Sequence, residues 1–305
     1  MAVHRLPHLA DMLNPPEFEP SPDMLTGCSE PTHEEVMAFT TYCQENTSSF
    51  HLLGVKQYDT GQVIPYDDPS LQKFLDDRIT YASKKNIKII QPASCYINQG
   101  SLGSCAGASG TGAQMSSVYN HRYFGIPAVH ERLNCSAAYL QARGRWGSGL
   151  SIVKFQHTLM EFGNATARVA GEYTTRAPGT LKGFDNKDYQ IWSCNCETVA
   201  QVCKFLKAGV AVAFASNQMP KGVKNGRVTG WRGCSHAMMF SGYNHDIADP
   251  FYGLYRWTNS WGKIYDDADG GWGCWMDKKE MDVFNMCGRY GLPYAIIGAE
   301  FKVGI

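Results

Sequence analysis

The sequence predicts an α+β fold on three observations. Helix-period apolar patterns dominate up to about residue 208, short apolar or alternating runs follow, and glycine or polar turns separate those runs. Helices first and antiparallel strands afterwards is the α+β order. The 305 residues suit one large domain, or an enzyme domain with a shorter appendage.

Residues 1–85 differ in texture, being interrupted by Pro7, Pro15, Pro16, Pro20, Pro22, Pro31, Pro65 and Pro69. Two segments there read as helix. One covers 32–42, where Thr32-His33-Glu34-Glu35 resembles a cap ahead of Val36 and Phe39; the other covers 70–85, with Leu71, Phe74, Leu75, Ile79 and Ala82 at helical spacing. A longer helix is predicted over 105–123, ending near Gly125 and Pro127. Its first half, Ala106-Gly107-Ala108-Ser109-Gly110-Thr111-Gly112-Ala113, is built of small residues. Each glycine costs about 1 kcal/mol of helix propensity relative to alanine, so close approach of a neighbouring wall is expected. Further helices are predicted over 136–143, 152–162 and 196–208, and strands over 210–214, 237–241 and 254–258. The acidic segment between Trp261 and Trp272 lacks the spacing and terminal glutamate of an EF-hand, so it reads as a solvated loop.

Composition removes several functional classes. The formal net charge is zero, which gives no electrostatic reason to expect nucleic acid or an anionic membrane surface as partner. No apolar run reaches the roughly 18 residues of a membrane span, and Met1-Ala2-Val3-His4-Arg5-Leu6-Pro7-His8 lacks the pattern of a secretory signal. Cytoplasmic synthesis is expected, with virion packaging or non-classical export open as final locations. The 11 cysteines are an odd number, leaving at least one thiol unpaired. Cys194-Asn195-Cys196 and Cys203 lack metal-ligand spacing and read as buried thiols, so neither a metal nor a cofactor is expected. The sequons at Asn46, Asn134 and Asn164 read as chance matches without a secretory signal.

The chemistry is concentrated in Gln99-Gly100-Ser101-Leu102-Gly103-Ser104-Cys105, followed by His236 in Gly233-Cys234-Ser235-His236-Ala237 and Asn259 in Trp257-Thr258-Asn259-Ser260-Trp261-Gly262. Alone, a cysteine after glycines is usually a core or turn residue. Here nucleophile, base and orienting amide occur together, with His236 and Asn259 about 130 and 150 residues after Cys105. This pattern resembles the papain-like cysteine proteases, which include the cathepsins. Ser241-Gly242-Tyr243, Asn285-Met286-Cys287-Gly288 and Pro293 extend the resemblance over about residues 90–298.

The resemblance implies a helical left domain and an antiparallel, barrel-like right domain with the active site in the cleft between them. It places the peptidase domain at 86–305 behind a prefix at 1–85. It also implies that Cys105 is the nucleophile, His236 its base, Asn259 the residue that orients the imidazole and Trp261 a shield for that contact, with Gln99 donating to the oxyanion. A thiol near pKa 8.5 needs a cation or a helix N-terminus to become thiolate, and Cys105 is expected to have both. Gly147 and Gly149 are expected to pair with extended substrate, and Ala237 to line a side-chain pocket. Two positions depart from the family: Leu102 stands where a disulfide partner is usual, and Ala106 where an aromatic residue is usual.

The expected function is a cysteine endopeptidase acting on a protein or peptide through a thioester. Alternatives are acyl transfer on cell-wall peptides or isopeptides, transpeptidation, and a non-catalytic structural or binding role in a larger assembly. Asn259-Ser260-Trp261-Gly262 argues against a cell-wall amidase, and the complete residue set argues against a non-catalytic role. The prefix reads as a divergent propeptide, a packing arm or a binding segment. Its position relative to Cys105 separates these.

Overall fold

The computed structural model describes residues 27–52, 60–126, 132–143, 149–166, 189–267 and 269–301. The strands among them are β1 (Cys28–Ser29), β2 (Gln62–Val63), β3 (Leu133–Asn134), β4 (Leu150–Ser151), β5 (Ala165–Thr166), β6 (Tyr189–Asn195), β7 (Val212–Lys224), β8 (Arg227–Tyr243), β9 (Tyr255–Thr258), β10 (Gly273–Met276) and β11 (Tyr294–Phe301). The helices are α1 (His33–Glu45), α2 (Pro69–Lys84), α3 (Cys105–Asn120), α4 (Cys135–Arg143), α5 (Ile152–Phe162), α6 (Val199–Lys207) and α7 (Lys278–Asp282).

The fold is α+β. Its main sheet has the order β10-β9-β8-β7-β11-β6-β2, antiparallel except where β2 joins β6 and where Trp275 bridges to Arg227. Alternation along the strands gives the sheet two apolar faces. Ala213, Ala215, Ala237, Met239, Tyr294 and Ile296 face a core with α3, α4 and α5. Val212, Phe214, Met238, Phe240 and Ile297 face a second core with α2, α6 and α7.

The alanines of β7 and the small residues of α3 meet in the first core, which supplies the expected close wall. A methyl added at Gly110 would lie 2.3 Å from Tyr294 Oη and 2.6 Å from Phe155 Cε1, and one at Gly112 would lie 3.0 Å from Met239 Sδ. The helix gives up propensity for that proximity. It ends at Asn120 and passes through a 3₁₀ turn, His121–Phe124, to Gly125 at φ 70°.

Several boundaries differ from expectation for identifiable reasons. α6 starts at Val199 because Thr198 and Gln201 form a reciprocal capping box. β7 and β8 run far beyond the predicted segments as one hairpin, turned by Asn225 and Gly226 at φ 49° and 75°. That two-residue turn matches the twist of paired strands. The segment before Trp272 is not a solvated loop throughout, because the Asp267 side chain is fully buried and paired with the equally buried Arg256.

The described part of the prefix is tied into these layers. α1 opens with the Thr32–Glu35 capping box, Glu35 accepts from Ser151 Oγ at 2.7 Å, and Tyr42 Oη donates to Gly61 O at 2.8 Å. On the other face, Lys204 of α6 pairs with Asp76 of α2 at 2.8 Å. All 11 cysteines are free thiols. No helix among the described residues is long and apolar enough to cross a membrane.

Gly110→Ala should destabilise the protein by about 1–3 kcal/mol through overpacking, despite alanine's better helix propensity. Urea unfolding of the two proteins checks this; equal or greater stability in the variant would show that the α3 wall can yield.

Candidate active site

Cys105 is the first residue of α3, so its sulfur lies at the positive end of the helix dipole. His236 comes from β8 and stands opposite Ser216 of β7, next to an irregularity where Gln218 pairs with Gly233. Such a bulge re-aims neighbouring side chains. His236 Nε2 meets Asn259 Oδ1 at 2.7 Å, and the Trp261 ring stacks on the imidazole at 4.8 Å between centroids and 28° between planes.

The other imidazole nitrogen, Nδ1, is buried and makes no hydrogen bond of normal geometry with the described residues. His236 acts on Cys105 instead. Burial alone would raise the Cys105 thiol; a hydrogen bond from Cys28, the charge and contact of His236 and the Ala237 backbone N–H outweigh it and hold Cys105 well below its ordinary value. Cys28 moves the other way. Its contact with Cys105, burial and the Cys105 charge push it well up, so of the pair Cys105 is the more acidic and Cys28 the weaker acid.

Asn259 is fixed from several sides. Its Oδ1 also accepts from Ser260 N at 2.8 Å, its Nδ2 donates to Tyr265 Oη at 2.6 Å, and its backbone N–H donates to Trp272 O at 2.9 Å. Burial pushes the Tyr265 phenol up, which keeps it neutral as the acceptor. Two residues on, the buried Arg256–Asp267 ion pair anchors the Tyr265 segment to β9. Burial would lower the Arg256 guanidinium, but the Asp267 carboxylate outweighs it and raises it.

Gln99 joins the same cluster. Its backbone N–H donates to Ser260 O at 2.7 Å, its Oε1 accepts from Ser260 Oγ, and its Nε2 donates to Leu102 O at 2.8 Å. One of the two amide hydrogens is thereby committed. Ala237 is fully buried in the first core, and its contribution to the site is the backbone N–H beside the sulfur. Gly149, at φ 86°, donates to Gly103 O at 3.0 Å, two residues before the nucleophile. Gly147 lies outside the described residues.

Four contributors escaped the sequence reading. Tyr265 sits in the segment read as solvated loop, and Asp267 with it. Arg256 was a missed signal, because a charged residue between Tyr255 and Trp257 in an apolar strand calls for a buried partner. Cys28 carries no sequence signal beyond being a cysteine. Contact with Cys105 is a tertiary fact.

No protein-family model matches the chain, and no curated protein matches it in sequence. Its structural neighbours are cysteine proteases. Xylellain, a cysteine protease from Xylella fastidiosa, is similar at 16% identity and a TM-score of 0.46, over 70% of this chain and 85% of that one. A clostridial cysteine protease after propeptide cleavage gives the same identity and TM-score, over 70% of this chain and 56% of that one. Digestive procathepsin L 3 of Tenebrio molitor larval midgut is similar at 15% identity and a TM-score of 0.41, over 87% of this chain and 93% of that one.

Tyr265→Phe should leave the fold intact and loosen the Asn259 amide. The rate of Cys105 alkylation by iodoacetamide at neutral pH should then fall by up to about tenfold, the equivalent of one hydrogen bond. Labelling followed by mass spectrometry checks this, and an unchanged rate would remove Tyr265 from the site.

Proposed function

We propose that this chain is a cysteine endopeptidase. The observation that carries the reading is the buried group Asn259–His236–Cys105, in which the imidazole is held through Nε2 and acts on a helix-terminal thiol depressed in pKa.

The chemistry follows from those positions. The Cys105 thiolate adds to the carbonyl carbon of a peptide, and the negative oxygen that forms accepts hydrogen bonds from the uncommitted Gln99 amide hydrogen and the Cys105 backbone N–H. Donors placed at such an oxyanion are worth on the order of 10² to 10³ in rate each. His236 gives its proton to the leaving amine as the C–N bond breaks, leaving a thioester on Cys105. The imidazole then takes a proton from water, whose oxygen attacks the thioester and releases the acid and the thiolate. Asn259 holds the ring through both transfers, and Trp261 covers that bond from water.

In the arrangement described, the nucleophile is closed off. Cys105, His236 and Gln99 have no exposed surface. Over the sulfur lies the prefix segment Gly27–Cys28–Ser29, held by parallel pairing of Cys28 with Leu150 and Ser29 with Ser151, directly after Gly149. This supports the propeptide reading for residues around 28, while α1, β2 and α2 serve as a packing arm. Activity then requires the segment to leave. The substrate is a protein or peptide that takes the segment's place beside Gly149.

Gly27 gives a direct handle, since a methyl there would sit 2.8 Å from Gly103 Cα and 3.2 Å from Cys105 Sγ. Gly27→Ala should displace the segment and speed both peptide turnover and labelling by an active-site-directed epoxide; Cys105→Ala should abolish both. Labelling that persists in Cys105→Ala, or a competent site that turns over no peptide once the segment is displaced, would overturn the proposal.

A further inference from the structure

The contact between Cys28 and Cys105 goes beyond coverage of the nucleophile. Any apolar side chain would cover a sulfur as well, yet the residue placed there is a second buried thiol: a methyl on the preceding Gly27 would sit 3.2 Å from Cys105 Sγ, and the two cysteines act directly on one another. Backbone pairing on the Leu150 side holds it in position, and the adjacent Ser29 carbonyl lies 3.6 Å from its sulfur. A third thiol stands near the pair. Cys234, however, points its sulfur at Ser216 O at 3.4 Å, and burial with the Cys105 charge raises its thiol.

We propose that Cys28 and Cys105 form a peroxide-responsive site, in which Cys28 is the resolving cysteine that converts oxidised Cys105 into a reversible disulfide. The inference rests on the reading of Cys105 as the reactive thiolate. In the first step the Cys105 sulfur attacks one oxygen of a peroxide, the O–O bond breaks, and Cys105 becomes a sulfenic acid while the departing oxygen leaves reduced as alkoxide or hydroxide and takes up a proton. In the second step the Cys28 sulfur attacks the Cys105 sulfur, the S–O bond breaks, and hydroxide leaves with the Cys28 proton as water. The two sulfurs together lose two electrons, and the peroxide gains them.

Electrostatics favours this order. While Cys105 is a thiolate its charge keeps the Cys28 proton in place; once Cys105 is a neutral sulfenic acid that opposition disappears and Cys28 can act as nucleophile. The disulfide would tie the prefix across the nucleophile covalently and protect Cys105 from irreversible oxidation. A dithiol reductant would return both groups to the starting state.

The test uses the full chain, hydrogen peroxide as oxidant and peptide mass mapping without reduction, on the parent, Cys28→Ser and Cys234→Ser. The parent and Cys234→Ser should yield a linked Cys28–Cys105 peptide that a dithiol removes. Cys28→Ser should lose that peptide and instead carry Cys105 as sulfinic or sulfonic acid, with several-fold more of it than the parent. A Cys234–Cys105 link, or equal over-oxidation of Cys105 in parent and Cys28→Ser with no linked peptide, would overturn the proposal. The map of the parent decides the matter even if Cys28→Ser folds poorly. Because the readout is a covalent link, a chain that turned over no peptide would refute the peptidase reading while leaving this result to stand or fall separately.

Discussion

The bond between His236 and Asn259 is the constraint on which the site depends. At 2.7 Å it joins β8 to the residue just past β9, and it determines which imidazole nitrogen is left for Cys105. The nucleophile comes from a different layer, α3, so the bond is useful only if helix and sheet are held in register. The small residues of α3 and the alanines of β7 and β8 supply that register by letting the helix seat closely against the Tyr294, Phe155 and Met239 side chains. Behind Asn259, a series of supports runs through Tyr265 to the buried Arg256–Asp267 pair. Such a pair adds little net stability over apolar residues of the same shape, but removing one partner leaves an uncompensated buried charge. It fixes the segment's place.

The same layer arrangement explains why the prefix can reach the nucleophile. α1 is anchored at Ser151 through Glu35, and Ser151 is also the partner of Ser29 in β1. One short strand edge beside Gly149 therefore holds both the packing helix and the segment over Cys105. Substrate and prefix compete for this edge in the proposed mechanism, and the low-lying Cys105 thiol is maintained in the closed arrangement partly by the segment that closes it.

Much of this was legible in sequence because the signals were local. Periodic apolar residues located α1, α2 and α5 closely, and the order of Gln99, Cys105, His236 and Asn259 picked out residues that the fold brings together. The misses have two kinds of cause. Thr198–Gln201 and Asn225-Gly226 were local signals passed over, a capping box and a hairpin turn, and with them went the start of α6 and the length of β7 and β8. Cys28 over Cys105, Tyr265 against Asn259 and Asp267 against Arg256 are contacts between distant or loop residues that no periodicity encodes. Acidic residues in the Tyr265 segment looked solvated because a buried carboxylate cannot be recognised until its cation is found across the strand.

The proposed chemistry requires Cys105 to be a thiolate at neutral pH, and the other cysteines provide a quiet background for measuring it. Each of them is raised above its ordinary value; burial lifts Cys43 to about 11 and Cys95 to about 12, with burial and nearby carboxylates doing so for Cys194 and burial and the Cys105 charge for Cys234. Ultraviolet absorbance of thiolate, followed from alkaline to acid pH in the parent and in Cys105→Ser, measures the claim most directly. One thiolate in the parent should persist through the ordinary cysteine range, take up its proton only well below it, and be missing from Cys105→Ser. A parent protein whose thiolate signal vanishes within or above the ordinary range, or is unchanged by the substitution, would contradict that requirement.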